Sequence, residues 1–325
     1  MPAYLTHYTC GLLGYHGLSQ GDLKRIIRDH ACVYNMGLAG PDLFFYSVWE
    51  IMTRRVPIGR IIHKYRTGRF LQAMFDKVKG LQRSSDPGNS SAAEKDTAYE
   101  TALAYFAGFV GHYCLDSRAH ALVYRKCAHQ NSSVALGKHF RYEAAMDAMC
   151  CERLLNRNIK CSHQMQLLRL TPADRQVISD LLFHALQETY GREVKIPSKR
   201  RLRLILKEYF LISGLITDPT GFKEYLFQKL EKKKPGYPYA SPLFINDNRY
   251  GLGEDDWQRF YIRFRRGERA LERAFSKLSE AVEERYGTGR EDAFWNEIGS
   301  WSYHGAGLPE AASDLPLSEL IGPPF

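Results

Sequence analysis

The stretch that decides the fold reads Ala107-Gly-Phe-Val-Gly-His112-Tyr-Cys-Leu-Asp116-Ser-Arg-Ala-His120. It has a counterpart downstream in His139-Phe-Arg-Tyr-Glu143-Ala-Ala-Met-Asp147. Imidazole and carboxylate recur every four residues in both. Residues four apart on an α-helix lie one above the other on the same face. His112, Asp116 and His120 therefore form one column of side chains, and His139, Glu143 and Asp147 a second. A lone buried histidine is usually structural, held by an ordinary hydrogen bond. Three ligand types at i, i+4 and i+8 beside the apolar run 101–110 are different, because burying Asp116 without a donor or a cation is costly. A metal is the economical explanation, and histidine nitrogen with carboxylate oxygen suits Zn²⁺. Two such columns facing each other in a helical bundle build a multinuclear site.

Composition sets the surroundings. A chain of 325 residues can bury a large core as one domain or two, and 44% apolar with 25% charged residues is ordinary for a globular protein. The net charge of +9 favours anionic partners such as phosphate esters, acidic lipid head groups or nucleic acid. The seven cysteines are odd in number and include no C-x-x-C pair, which argues against a disulfide framework and a zinc ribbon. Reduced thiols in a reducing compartment fit best. The opening Met-Pro-Ala-Tyr-Leu-Thr-His7 lacks the basic and apolar regions of a secretory signal. The apolar run 101–110 is too short to span a bilayer. The expectation is a cytoplasmic protein whose membrane contact, if any, is peripheral.

Helical periodicity dominates the rest. Residues 22–34 read as one helix, and the two glycines and proline of residues 35–42 read as a loop. Helices are expected over 57–78, 97–122 and 139–159, with loops at 84–92 and 130–137. Thr171-Pro-Ala-Asp174 is an N-cap with proline at the first helical position, opening a helix that runs to about Tyr190. Further helices are expected at 198–216, 221–233 and 257–286, with a short one at 293–301 and a long loop at 234–256. The class is all-α, a multi-helix bundle. Residues 1–160 are expected to form the metal-binding core, residues 161–304 to add helices packing on it in the same domain, and residues 305–325 to form a loose tail.

Three more candidate ligands lie upstream: His7 in Thr-His-Tyr, Asp42 in Gly-Pro-Asp-Leu-Phe-Phe-Tyr, and His63 in Ile-Ile-His-Lys. Together with His112-x-x-x-Asp116, His120 and His139-x-x-x-Glu143, they make an ordered set over residues 1 to about 150. That set resembles the zinc-dependent phospholipase C family, which shares its fold with the S1/P1 nucleases. The second half of the chain carries no motif that matches.

The resemblance implies a phospholipase C/P1 nuclease-like fold with two to three zinc ions. One would be held by Asp42, His63, His112 and Asp116, and a second by His120, His139 and Glu143. A third would use Asp116 and His7 with the N-terminal amine, which is that of Pro2 once Met1 is removed. Asp147 falls outside this ligand set. The implied activity is phosphodiester hydrolysis, most simply of a phospholipid to release a phosphorylated head group. Asp42 would orient or deprotonate the water, and Phe45 and Tyr46 would line the substrate pocket. The alternatives are a P1-like nuclease or nucleotidase, or a catalytically impaired metal-binding scaffold. The scaffold reading draws on spacing, since secreted members take six residues from the bridging aspartate to the next histidine and Asp116 to His120 takes four. Residues 192–234 carry twelve basic residues against five acidic ones. They read either as a patch for anionic lipid or nucleic acid or as a solvated helix face.

Overall fold

The structure is a computed structural model, and it describes residues 4–48, 58–83, 92–127, 132–161, 164–233, 244–246, 250–283 and 288–303. In chain order the helices are α1 (Tyr4–Gly17), α2 (Asp22–Asp29), α3 (Ala31–Gly37), α4 (Ile58–Lys64), α5 (Thr67–Arg83), α6 (Ala92–Cys127) and α7 (Ser132–Leu155). They continue with α8 (Gln164–Leu167), α9 (Pro172–Tyr190), α10 (Lys199–Ile216), α11 (Phe222–Glu231), α12 (Glu254–Glu283) and α13 (Thr288–Ile298). A 3-10 turn, Gly40–Tyr46, lies between α3 and α4. An isolated bridge pairs Thr217 with Ile245, and no strand occurs among the described residues. The all-α expectation therefore holds. Pro2 and the tail 305–325 lie outside the described residues, as does most of the expected loops at 84–92 and 234–256.

Helix α6 is the axis. Its residues 102–110 are apolar or glycine on every face and buried, so the helix needs neighbours all round. It finds them in α1, α3, α5, α7, α9 and α12. One hydrophobic core runs from Tyr4 to Tyr303, drawing on helices from both halves of the chain. The cap of α9 is as the sequence reads: Thr171 and Asp174 bond reciprocally, with Pro172 at the first helical position. Among the described residues, no helix is long and apolar enough to cross a membrane.

Three local expectations are corrected. Residues 22–34 form two helices, because the chain turns at His30, whose ring reaches Glu100 and Thr101 on α6. Gly37 ends a helix that continues through residue 35 rather than lying in a loop. A Cβ on Gly37 would sit 2.3 Å from the Tyr105 carbonyl, and one on Gly108 would sit 2.1 Å from the Tyr34 carbonyl. These two glycines serve the close crossing of α3 and α6, not chain flexibility. The loop expected at 130–137 is largely helix, since α7 begins at Ser132.

Candidate metal centre

Each column lies along one helix face as the four-residue spacing requires, and the packing of α6 against α7 brings the two together. Helix α6 supplies His112, Asp116 and His120, and α7 supplies His139, Glu143 and Asp147. Three other elements close on them. Helix α1 brings His7, the 3-10 turn brings Asp42, and α4 brings His63. The turn reaches inward because Gly40 adopts φ +53°, and a Cβ there would lie 2.3 Å from the His112 ring. All eight of these side chains other than Asp147 belong to the predicted ligand set, and every one is buried.

Asp116 stands in the middle. Its Oδ1 lies 3.2 Å from His7 Nε2. Its Oδ2 lies 3.0 Å from His120 Nδ1, 3.4 Å from His112 Nε2 and 3.7 Å from His63 Nε2. Asp42 Oδ1 is 3.1 Å from His63 Nε2. On the other side, His139 Nε2 lies 3.0 Å from Glu143 Oε1 and 3.2 Å from His120 Nε2. The His7 and His112 rings stack with centroids 4.0 Å apart. Three groups have ligand atoms within 4.8 Å of one another and could hold a metal ion: His7, His112 and Asp116; Asp42, His63 and His112; and His120, His139 and Glu143.

Backbone carbonyls orient two of the rings. His63 Nδ1 lies 2.6 Å from the Gly59 carbonyl, and His112 Nδ1 lies 3.0 Å from that of Leu38. A carbonyl only accepts, so each Nδ1 carries the proton and donates it. In the neutral ring Nε2 then turns a lone pair toward a carboxylate oxygen. Such an arrangement needs a proton or a cation between the two acceptors. It is also the arrangement in which a metal-ligating histidine is ordinarily held. His112 Nε2, Asp42 Oδ1 and Glu143 Oε2 are buried without a hydrogen-bond partner among the described residues, so the donor set fits a metal.

The electrostatics agree. Burial opposes the charge of Asp116, yet His120, His112 and His7 hold its pKa well below the usual carboxylate value. Burial likewise opposes Glu143 and Asp42, and their histidine neighbours lower both. Burial would discharge His120, but Asp116 and Glu143 raise its pKa well above that of ordinary histidine. Asp147 is set apart. Burial pushes it up to about 8, against the hydrogen bonds it accepts from Thr6 and Leu5. It receives Thr6 N–H at 2.8 Å, Thr6 Oγ–H at 2.6 Å and Leu5 N–H at 3.2 Å. Asp147 thus fastens the first turn of α1 to α7, next to His7.

Phe45 is half-buried with its ring 5.4 Å from that of His63, while Tyr46 is buried edge-on against Tyr209. A cavity of about 30 Å³ adjoins the cluster, walled among others by His7, Asp116, His120, Glu143 and Phe260.

Sequence reading misses several parts of this centre. The Leu38 and Gly59 carbonyls leave no mark in side-chain identity. Thr6 is one unremarkable hydroxyl among many. Tyr303 lies far down the chain, yet it is fully buried, packs on the rings of His63 and His112, and donates its N–H to the His63 carbonyl at 3.0 Å. No signal in the sequence points to it. Compared with known proteins, the chain matches no protein-family model, no curated protein and no solved structure.

Proposed function

We propose that this chain is a zinc-dependent phosphodiester hydrolase related in fold to the phospholipase C and P1 nuclease enzymes. One observation carries the reading: a single buried carboxylate, Asp116, lies within 3.7 Å of His7, His63, His112 and His120. That is the position a metal-bridging aspartate needs, and the residues around it follow the order that the resemblance implies. On this reading Asp42, His63, His112 and Asp116 would hold one zinc, and His120, His139 and Glu143 would hold a second. His7 and Asp116, beside His112, would hold a third. Zinc bound there would supply Lewis acidity toward phosphoryl oxygens and lower the pKa of water toward neutrality.

The chain's own residues do the rest. Asp42 is held ionised by His112 and His63, so it can orient an attacking water and take its proton. The Gly59 and Leu38 carbonyls fix the ring planes of His63 and His112. Phe45, half-buried against His63, offers an apolar wall for the substrate. Phospholipid is the preferred substrate, and nucleic acid is the alternative on the same centre.

A second reading is a metal-binding scaffold without turnover. The closeness of the cluster favours it, since the adjoining cavity holds about 30 Å³. Metal analysis and two assays decide. Purified protein is expected to carry about two to three zinc ions per chain and to release phosphocholine from phosphatidylcholine in a chelator-sensitive way. Fewer than about two ions would overturn the multinuclear centre. Faster cleavage of single-stranded DNA would move the assignment to the nuclease, and full zinc with neither activity would establish the scaffold.

A further inference from the structure

Helix α11 is built inside out. Its two glutamates face inward: Glu224 is 4% exposed and Glu231 is 5% exposed. Glu224 accepts hydrogen bonds from Asn246 Nδ2 at 2.6 Å, from Tyr250 O–H at 2.8 Å and from Gln228 Nε2 at 2.8 Å. Its backbone N–H donates to the buried Asp218 at 2.9 Å. The apolar residues face outward. Phe222 is 65% exposed, and Leu226 and Leu230 follow it at four-residue steps with 44% and 52% exposed. Tyr225 stands beside them. The stripe continues onto the end of α10 at Leu215, whose carbonyl accepts from Lys223 Nζ at 2.8 Å.

The rim of this stripe has one sign. Lys229, Lys232 and Lys233 are exposed, and Lys229 Nζ lies 4.6 Å from the centre of the Tyr225 ring. None of the three pairs with a carboxylate among the described residues, and the helix turns no acidic side chain outward. An exposed apolar stripe this long calls for a partner. The fold does not lack one by accident, because Glu224 is already satisfied on the inner side and α11 cannot roll over without unpairing it.

We propose that α11 is a membrane-docking helix, laying Phe222, Leu226 and Leu230 into an anionic bilayer while Lys229, Lys232 and Lys233 reach the head groups. An interfacial helix has this composition: aromatic and leucine on one face, lysine at its edges. Charge separates this occupant from the others. A second copy of the chain would set lysine against lysine, and nucleic acid would leave the leucines without an apolar partner. An anionic bilayer answers both faces at once. The inner face ties the helix to the metal-centre side of the molecule, because Tyr250, which binds Glu224, lies under the Arg141 guanidinium on α7 at 5.6 Å. The inference does not rest on the enzymatic reading.

The test is flotation with vesicles of phosphatidylcholine alone and of phosphatidylcholine with phosphatidylserine. The wild-type chain is expected to float with the mixed vesicles and not with the neutral ones. The triple variants Phe222→Ser/Leu226→Ser/Leu230→Ser and Lys229→Gln/Lys232→Gln/Lys233→Gln should each weaken binding by about tenfold or more. Their melting temperatures should stay at the wild-type value, because the substituted side chains are exposed. Asp116→Asn should float like wild type, which separates docking from the metal centre. No binding by the wild type overturns the proposal, as does equal binding by the triple-serine variant. So does a wild-type dimer in light scattering that the triple-serine variant converts to monomer, or single-stranded DNA that binds as tightly and is lost in that variant.

Discussion

Asp116 Oδ2 lies 3.0 Å from His120 Nδ1, one turn further along the same helix. The other ring nitrogen, His120 Nε2, lies 3.4 Å from Glu143 and 3.2 Å from His139 on the facing helix. His120 therefore joins the two columns, with one nitrogen on each. The four-residue step from Asp116 to His120 is what makes this possible. A helical histidine six residues on would point to a different face.

From this bridging position, Asp116 and His120 are expected to differ in what their loss removes. Asp116→Asn should lower zinc content by more than one ion per chain and abolish hydrolysis, since the carboxylate borders two ligand groups. His120→Gln should remove about one ion and leave the group around Asp42 and His63 loaded. Elemental analysis of the two purified variants checks this. Equal zinc in both would place the bridge elsewhere.

The zinc-stripped protein should lose stability as pH rises above neutral. His120 has a raised folded pKa, so its contribution is complete below the unfolded value of about 6.5 and is lost as pH climbs through the folded one. Asp147, raised to about 8, changes in the same direction between the ordinary carboxylate value and its own. The depressed carboxylates of Asp42, Asp116 and Glu143 contribute fully above about pH 4.5 and stay constant across this window. Melting temperatures of the stripped protein at pH 6 and pH 9 are the measurement. A melting temperature that rises with pH would contradict the geometry of His120.

Asp147→Asn should destabilise the protein by about 1–3 kcal/mol, because an amide N–H₂ must then face the Leu5 or Thr6 donors in a buried site. The loss frees the first turn of α1 and with it His7. Denaturant midpoints measure the stability, and zinc affinity should fall without any ligand having been changed. Wild-type affinity in this variant would show that His7 needs no such fastening.

Two glycines should respond oppositely to alanine. Gly40→Ala meets a left-handed backbone and the His112 ring at 2.3 Å. It should cost about 1–2 kcal/mol from the backbone alone and should lower zinc content as well. Gly80→Ala lies in helix α5 with nothing within 4 Å of the added Cβ. It should stabilise by about 0.5–1 kcal/mol. Thermal unfolding of the pair checks both signs.

The helices were legible where periodicity and caps agree, as at Thr171 with Pro172 and Asp174, and at Ser198. They are not legible where a residue serves a distant partner. Gly37 reads as a breaker and acts as a contact surface for Gly108. His30 reads as the middle of a helix and instead turns the chain toward Glu100. Helix α11 has the residue content of an ordinary amphipathic helix, and nothing local says that its glutamates point inward.

The sequence by itself determined the all-helical class and the two columns of the candidate centre. Both rest on local geometry, because a four-residue step puts His112, Asp116 and His120 on one face in any α-helix. Tertiary structure decided the rest. It chose which elements carry His7, Asp42 and His63 to that face, which carbonyls orient the rings, that Tyr303 covers them, and which way α11 turns. These depend on packing between residues far apart in the chain and on backbone groups that every residue possesses, so no side-chain pattern records them.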